Sequence, residues 1–313
     1  MRFYIRNIVG LLITVMLVSI ISFATFQILP GNPATVILGV DADPAQIEAL
    51  EEELGVNLPV GERFVNWVSN LFKGDLGVSY KYHQDVSTLI ASAFEVTASL
   101  AILCLFITVL IGVPLGVLLS KIKNKTLYAV FLALSQVGIS VPSFCVGILL
   151  INIFSVQLGI LPSINYVSYT VDIVGWLRGM IMPAFALAIP CISILMRYIN
   201  LSITQEKRAD YVRTAYSKGL TTNEVLYNHI LRNSLIPVIT IFAMLCADVL
   251  GGSIIIENVF SLPGIGKLIA TSITSRDLML VQGLVLYLAV IVAITNFVVD
   301  LLYSIADPRI KRS

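Results

Sequence analysis

Residues 99–119 read SLAILCLFITVLIGVPLGVLL, and this stretch decides the class of fold. It carries no charged side chain, and an α-helix needs about 20 apolar residues to cross the hydrocarbon core of a bilayer. The whole chain shares this bias, because 57% of its 313 residues are hydrophobic and 12% are charged. In a soluble domain about 25% of the residues are charged. The sequence therefore predicts a protein embedded in a membrane.

Five other stretches are long and apolar enough to span a bilayer. They are residues 8–29, 126–156, 180–200, 234–256 and 278–305. The stretch 126–156 would form a straight helix of about 45 Å, which exceeds the roughly 30 Å core, so we expect a kink at Pro142. The predicted fold class is all-α, a polytopic membrane bundle with six transmembrane helices.

The distribution of Lys and Arg predicts the orientation of the bundle, because cytoplasmic loops carry an excess of both residues. With six spans, 14 of the 20 basic residues lie on the side of the two termini. We therefore expect both termini in the cytoplasm and an uncleaved first helix. The predicted divisions are an N-terminal transmembrane helix at 1–29, an extracytoplasmic loop at 30–96, and a core transmembrane domain at 97–313 that includes a cytoplasmic loop at 201–233.

The extracytoplasmic loop is expected to contain a short amphipathic helix. Asp43 can cap a helix whose first residue is Pro44, and Gly55 suits the left-handed conformation that ends a helix. The acidic run at 51–53 is interpreted either as a solvated face or as a docking surface for an extracytoplasmic partner.

The cytoplasmic loop predicts two short helices that meet at an angle. The first is expected to end at Gly219, and Thr221 with Glu224 three residues later forms a capping box for the second. A rigid, basic helix pair suits insertion into a groove of a partner protein. One alternative is a surface helix on anionic membrane lipid. Another is a helix-turn-helix that binds DNA, but the position between two spans argues against a nucleic-acid partner.

Ionisable residues inside a span are candidate functional sites by default. Asp248 is the clearest one, in the fifth span. It is interpreted either as a polar contact along a transport pathway or as a structural carboxylate bonded inside the bundle.

Several short motifs, in a shared order over most of the chain, resemble the binding-protein-dependent ABC transporter permeases of the oligopeptide/dipeptide/nickel family, in their first-subunit type. In the cytoplasmic loop they are Asp210-Tyr211-Val212-Arg213-Thr214-Ala215, Lys218-Gly219-Leu220, His229, Arg232-Asn233 and Pro237. Arg213 and Thr214 stand where the general Glu-Ala-Ala…Gly motif has Glu and Ala. Other matches are Leu29-Pro30-Gly31-Asn32-Pro33-Ala34, Gly74-Asp75-Leu76-Gly77-Val78-Ser79, Pro142-Ser143-Phe144, Glu257, Val259-Phe260, Pro263-Gly264-Ile265-Gly266, Arg276-Asp277 and Asp307-Pro308-Arg309.

The resemblance implies a permease subunit in a bacterial inner or plasma membrane, forming half of a pathway with a second, homologous permease. Two cytoplasmic ATPases and an extracytoplasmic solute-binding protein complete the transporter. The implied ATPase-coupling residues are Asp210, Tyr211, Arg213, Ala215, Lys218, Gly219, Arg232 and Asn233. The candidates for the pathway or its gate are Asp248, Glu257, Phe260, Pro263, Gly264 and Gly266. The candidates for docking the binding protein are Pro30, Gly31, Pro33, Gly74, Asp75, Gly77, Arg276 and Asp277.

No enzyme chemistry, cofactor or metal site is expected in this chain. The segment 261–268 lacks the first Gly of a phosphate-binding loop and has Leu268 where Ser or Thr is required. The four Cys and two His have no ligand spacing. ATP and Mg are therefore expected to bind to the partner ATPases.

The default substrate is a peptide, with nickel or a nickel chelate, glutathione or an oligosaccharide as alternatives. A different class is the stand-alone channel or secondary transporter. Such proteins usually show inverted repeats or paired intramembrane charges. This class is disfavoured because neither feature is evident in the sequence. An intramembrane enzyme is disfavoured because no catalytic constellation is evident.

Overall fold

The computed structural model describes residues 2–28, 35, 38–39, 42–53, 57–164 and 166–306. Its regular structure over these residues is helical, apart from one isolated bridge between Val78 and Asp85. The predicted all-α fold class is confirmed. The helices are α1 (Arg2–Ile28), α2 (Pro44–Glu53), α3 (Val60–Phe72), α4 (Val86–Lys121), α5 (Lys125–Ser140), α6 (Ser143–Gln157), α7 (Ile173–Glu206), α8 (Asp210–Ser217), α9 (Thr222–Val259), α10 (Ile265–Thr274) and α11 (Leu278–Ala306).

Four of these helices are long and apolar enough to cross a membrane alone: α4, α7, α9 and α11. Helices α5 and α6 together make a fifth candidate, bent by 96°. Helix α1 has 27 residues, and its described apolar part is Val9–Thr25. The five candidates and α1 correspond to the six predicted spans.

The bend between α5 and α6 lies where the sequence predicts a kink. Val141 has an extended conformation with φ −82° and ψ 122°, and Pro142 precedes the first turn of α6. A residue before proline is disfavoured in the helical region, and proline cannot donate a backbone hydrogen bond. The predicted kink is therefore a break between two helices.

Helix α7 extends beyond the predicted span 180–200 at both ends. The Asp172 side chain accepts a 2.9 Å hydrogen bond from the Val174 N–H and caps its first turn. Pro183 and Pro190 lie inside the helix without ending it. Neighbouring helices can stabilise such prolines inside a bundle.

The chain divides into two compact units, one of residues 1–95 with 267–294, and one of 96–266 with 295–313. The core of the second unit surrounds α7, where Ala184, Ala186 and Ala188 are fully buried. Gly116 of α4 faces α7 so closely that a Cβ atom there would lie 2.7 Å from the Ile199 Cβ. Small residues at helix contacts are typical of membrane bundles.

In the first unit, α3 packs its aromatic residues on α1. The ring of Phe23 lies 5.2 Å from that of Phe64 and 5.8 Å from that of Trp67, centroid to centroid. Helix α3 was not predicted from the sequence, although Phe64, Trp67, Val68 and Leu71 have the spacing of one helical face. The predicted helix at Pro44 is confirmed as α2, with Asp43 accepting from the Ala45 N–H at 3.1 Å. Gly55 lies outside the described residues.

Candidate functional site

The predicted coupling segment forms a short helix, α8, with one buried face and one exposed face. Val212 and Ala215 are buried in the core of their unit. Arg213 and Lys218 are exposed, as is Asp210 at the first position. An acidic residue there is favourable, because a helix N-terminus carries partial positive charge. Together, α8 and the residue after it therefore present two basic side chains and one acidic side chain.

The turn after α8 has the predicted left-handed glycine. Gly219 has φ +84°, and its N–H donates to the Tyr216 carbonyl at 2.9 Å. The predicted capping box follows, with the Glu224 carboxylate accepting from the Thr221 N–H at 2.8 Å. Both ends of the turn are thus fixed by local hydrogen bonds.

The helix that follows this turn is not short, in contrast to the prediction of two short helices. It runs from Thr222 to Val259 and contains the fifth predicted span. It passes through wider π-helical turns at Val225–Ile230, and Pro237 lies inside it without breaking it. Because no residue in this interval ends the helix, the coupling segment is joined directly to a membrane helix.

Tyr211 links the coupling segment to its two neighbours. Its hydroxyl donates to the Glu206 carboxylate at the end of α7 and also interacts with the Asn233 side chain in α9. Burial and the nearby Glu206 carboxylate raise the pKa of the Tyr211 phenol. The structure therefore brings together Tyr211 and Asn233, two predicted coupling residues. The predicted coupling residue Arg232, which precedes Asn233, is exposed.

Two lysines that were not predicted as site residues connect the end of α4 to α9 and to the residue after α7. The Lys121 ammonium donates to the Tyr227 hydroxyl at 3.0 Å, and the Lys207 ammonium donates to the Ser120 carbonyl at 2.5 Å. Burial, and secondarily the charge of Lys121, lowers the pKa of Lys207. No local sequence pattern signals these contacts, because each joins residues far apart in the chain.

Glu257 is fully buried and holds the loop between α9 and α10. Its Oε1 accepts from the Thr97 hydroxyl at 2.7 Å, and its Oε2 accepts from the Gly266 N–H at 2.7 Å. The Thr97 oxygen in turn accepts from the Ile265 N–H at 3.0 Å. A Cβ atom on Gly264 would lie 2.4 Å from the Glu257 carboxylate. The structure thus brings together Glu257, Gly264 and Gly266, and adds Thr97, which the sequence analysis missed.

The other predicted gate residues differ in exposure. Phe260 is 1% exposed, and a Cβ atom on Gly147 would lie 3.0 Å from its ring. Pro263 is exposed at the tip of the loop. Asp248 is also exposed, and makes no hydrogen bond to the described residues. This exposure argues against the interpretation of Asp248 as a carboxylate bonded inside the bundle.

On the predicted outer side, Asp277 forms a buried hydrogen-bonded cluster. Its Oδ2 accepts from the Ser79 hydroxyl at 2.6 Å and from the Lys81 N–H at 3.2 Å, and its Oδ1 accepts from the Leu280 N–H at 3.2 Å. Burial and the Asp277 charge raise the pKa of Tyr80 to about 12. With 1% of its surface exposed, Asp277 positions the turn rather than offering itself to a partner.

Its neighbour Arg276 is exposed, with φ +54°. The predicted docking residues Gly74 and Asp75 are exposed, and the Asp75 side chain accepts from the Gly77 N–H at 2.8 Å. Pro30, Gly31 and Pro33 lie outside the described residues. In the part of the chain that the structure describes, no three His, Cys, Asp or Glu side chains are grouped to hold a metal ion.

A bundle of membrane-length helices, with the short helix α8 between two of them, is the architecture of a polytopic membrane protein. The chain belongs to the binding-protein-dependent ABC transporter permeases of the peptide/nickel family. Residues 112–312 match the model of the binding-protein-dependent transport system inner membrane component, and residues 1–101 match the model of its N-terminal part. The chain is thus a multi-pass inner membrane protein of a family in which separate subunits hydrolyse ATP.

The similarity to individual permeases extends over nearly the whole chain. It is 40% identical to the "Putative peptide transport system permease protein" of Brucella abortus (strain 2308), covering 95% of this chain and 94% of that protein. It is 33% identical to the glutathione transport system permease protein of Escherichia coli (strain K12), covering 99% of each. A chain of the MetNI methionine ABC transporter, in an inward-facing conformation, matches the fold with a TM-score of 0.57 at 16% identity, covering 70% of this chain and 96% of that one.

Proposed function

We propose that this chain forms half of the translocation pathway of an ABC importer for peptides, and that α8 couples this pathway to ATP hydrolysis. A second permease would form the other half, and two cytoplasmic ATPases would bind ATP and Mg. An extracytoplasmic binding protein would deliver the substrate. The observation that carries the proposal is the pair of exposed basic residues Arg213 and Lys218, in and directly after α8, which is anchored by buried Val212 and Ala215.

The attachment of α8 supports a mechanical role. Tyr211 connects it to Glu206 at the end of α7, and the capped turn at Gly219 and Thr221 connects it to α9. A displacement of α8 by the ATPases would therefore be passed to two membrane helices. Alternation between inward-facing and outward-facing states would follow as a rigid-body switch.

The proposed substrate rests on the relatives. One relative at 40% identity bears a name for peptide transport, and one at 33% identity bears a name for glutathione transport. Glutathione is itself a tripeptide with free carboxylates, so it is the second candidate. Nickel or its chelates remain an alternative at the level of the family.

The proposed orientation follows the positive-inside rule, with both termini and α8 in the cytoplasm. The cluster of Ser79 and Asp277 would then lie outside, where a binding protein docks. Exposed Arg276, Gly74 and Asp75 are the proposed contacts with that protein.

The experiment is purification of the tagged chain from native membranes in mild detergent, with mass spectrometry of the proteins that accompany it. We expect a second permease, one or two ATPases and a solute-binding protein, and ATP-dependent uptake of trialanine by the reconstituted complex. A chain recovered alone, with uptake that survives ATP depletion but not loss of an ion gradient, would instead indicate a secondary transporter.

A further inference from the structure

A cavity of about 500 Å³ lies between α5 and α7. Its lining residues are Tyr128, Leu132 and Ile139 from α5, and Ile194, Arg197, Tyr198, Asn200 and Leu201 from α7. The volume falls within the range of about 300–1,000 Å³ that small-ligand sites occupy. The wall is mostly aliphatic and aromatic, and the described lining has no carboxylate.

One polar group of the cavity is a cation held in place. The Arg197 guanidinium donates through Nη1 to the Gln136 Oε1 at 2.7 Å. A guanidinium has five N–H donors, so this bond leaves donors for a ligand. Arginine can bind a carboxylate with two parallel hydrogen bonds. The side chain is therefore suited to an anionic group in the cavity.

The second polar group is a buried acceptor without a partner. Asn200 is 5% exposed, and its Nδ2 donates to the Tyr128 hydroxyl at 2.9 Å. Its Oδ1 is buried and has no hydrogen-bond partner in the described chain. A buried polar atom left unsatisfied is unfavourable, and such atoms in native structures usually have a reason. A ligand that donates a hydrogen bond would satisfy it.

We propose that this cavity binds the C-terminal residue of a peptide in transit, with Arg197 pairing with the terminal carboxylate and Asn200 accepting from the last amide N–H. The terminal side chain would contact Leu132 and Ile194. A peptide C-terminus offers all three features, an anion, an adjacent N–H donor and a side chain. The inference rests on the proposed function, and it assigns part of the substrate recognition to the permease itself.

A lipid headgroup would fit the cavity less well. A cationic side chain near the end of a span usually extends toward the interface to meet lipid phosphates. Here the hydrogen bond to Gln136 holds the Arg197 guanidinium against α5. Arg197 is exposed and could meet a headgroup, but the Asn200 Oδ1 is buried, and a lipid phosphate has no N–H group to donate to it.

The test uses the complete transporter without added binding protein and a photoreactive probe, alanyl-alanyl-p-benzoylphenylalanine, together with its C-terminal amide. We expect the free acid to label residues 128–139 and 194–201. The amide probe lacks the negative charge and the Arg197→Gln variant lacks the positive charge, so either change removes an ion pair or charged hydrogen bond of ordinary strength. We therefore expect labelling of the wild type by the amide, and labelling of Arg197→Gln by the free acid, to fall about tenfold. Arg197→Lys retains part of the labelling, because it keeps the charge and loses the bidentate geometry.

The matched control is Arg178→Gln, the same substitution at an exposed position in the same helix. It should label as the wild type does. The comparison of acid with amide on the wild type needs no variant, so it holds even if Arg197→Gln assembles poorly. Equal labelling by acid and amide, or labelling elsewhere in the chain, would overturn the inference.

Two further results separate the remaining explanations. In the first, native mass spectrometry finds phosphatidylglycerol on the wild type but not on Arg197→Gln, and the free acid labels the two proteins equally. This result would make the cavity a lipid site and overturn the inference. Uptake of trialanine with binding protein present is measured on the same preparation. If uptake occurs without labelling in the cavity, only this inference fails, whereas a complex that takes up no peptide contradicts the proposed function.

Discussion

The hydroxyl of Thr97 donates a 2.7 Å hydrogen bond to the carboxylate of Glu257, although 160 residues separate them in the sequence. Thr97 lies in α4 and Glu257 near the end of α9. The same two side chains also bind the backbone N–H groups of Ile265 and Gly266. A buried carboxylate usually needs several such donors, and these four groups together fix the loop that begins α10.

Glu257→Gln is expected to destabilise this loop. An amide oxygen can accept some of the hydrogen bonds of the carboxylate, but the amide NH₂ would face donors. Hydrogen bonds to charged groups contribute about 1.5–3 kcal/mol each, so we expect the transporter to lose about 2 kcal/mol of stability, measured as a lower melting temperature in detergent. Thr97→Val should cost a similar amount, and the double variant less than the sum, because both changes break the same cluster.

The same variant tests the predicted gate role of Glu257. If this role is correct, Glu257→Gln also reduces peptide uptake and the stimulation of ATP hydrolysis by substrate, measured at a temperature well below the melting point. Unchanged values for both, together with the lower melting temperature, would leave Glu257 a structural residue and remove it from the pathway.

Helix α8 gives a prediction about coupling. Gly219 has φ +84°, which proline cannot adopt because its ring fixes φ near −65°. Gly219→Pro should therefore disrupt the turn, and Arg213→Glu should place a repelling charge on the exposed face. Misplaced charge at an interface costs several kcal/mol, so uptake is expected to fall about tenfold or more, and more steeply than ATP hydrolysis in the reconstituted complex.

The matched control at this turn is Gly219→Asn. Asparagine tolerates the left-handed conformation better than other side chains, at a cost of about 1 kcal/mol, so this variant should keep most of the uptake. Normal uptake by both Gly219→Pro and Arg213→Glu would contradict the coupling role of α8.

Local sequence signals predicted the membrane-spanning stretches, α2, the kink at Pro142 and the caps, but not α3 or α10. Pro142, Gly219 and the pair of Thr221 and Glu224 act on their own segment of backbone, so their effects can be derived without a fold. The length of α9 was misjudged for the same reason. The capping box correctly marks its beginning, but no local signal states that the helix continues through Pro237 into the membrane.

Contacts across the chain could not be derived from a single sequence. Thr97 is one of several hydroxyl residues in an apolar helix, and nothing near it indicates a buried carboxylate 160 residues away. Asp277 was selected as a docking residue from its motif, yet packing buries it. A motif identifies residues that are important for function. Only the fold shows whether such a residue contacts a partner protein or holds the contacting residue in place.

Lys207 gives a prediction about pH. Burial and, secondarily, the charge of Lys121 lower its pKa, so its neutral, nucleophilic form is present at a lower pH than for an ordinary lysine. Lys121→Gln removes the second cause and leaves the first. The pKa of Lys207 should then rise partway toward the ordinary value, and the pH of half-maximal acetylation by acetic anhydride, followed by mass spectrometry, should rise with it.

The control for this experiment is Lys123→Gln, which removes a charge two residues from Lys121 but leaves burial and Lys121, the two causes of the lowered Lys207 pKa, in place. An unchanged acetylation profile in Lys121→Gln would mean that burial alone lowers the pKa.

The lowered pKa of Lys207 also affects the stability of the fold, in the direction opposite to that of a lysine that gains an acidic partner. Because the folded pKa lies below the unfolded one, Lys207 opposes folding when charged, and this penalty fades as the pH rises through the unfolded pKa.

The cluster of Ser79 and Asp277 separates stability from docking. Asp277→Asn removes the charge that the Ser79 hydroxyl and the N–H groups of Lys81 and Leu280 stabilise, and should cost about 1.5–3 kcal/mol. We expect a lower melting temperature of the transporter and weaker binding of the solute-binding protein, because the turn that carries Arg276 loses its position.

The control is Arg276→Gln, which alters only an exposed side chain, so it should weaken that binding without changing the melting temperature. Surface plasmon resonance with the reconstituted transporter measures the affinity. If Arg276→Gln left the affinity unchanged while Asp277→Asn lowered the melting temperature, the cluster would be structural and the binding protein would dock elsewhere.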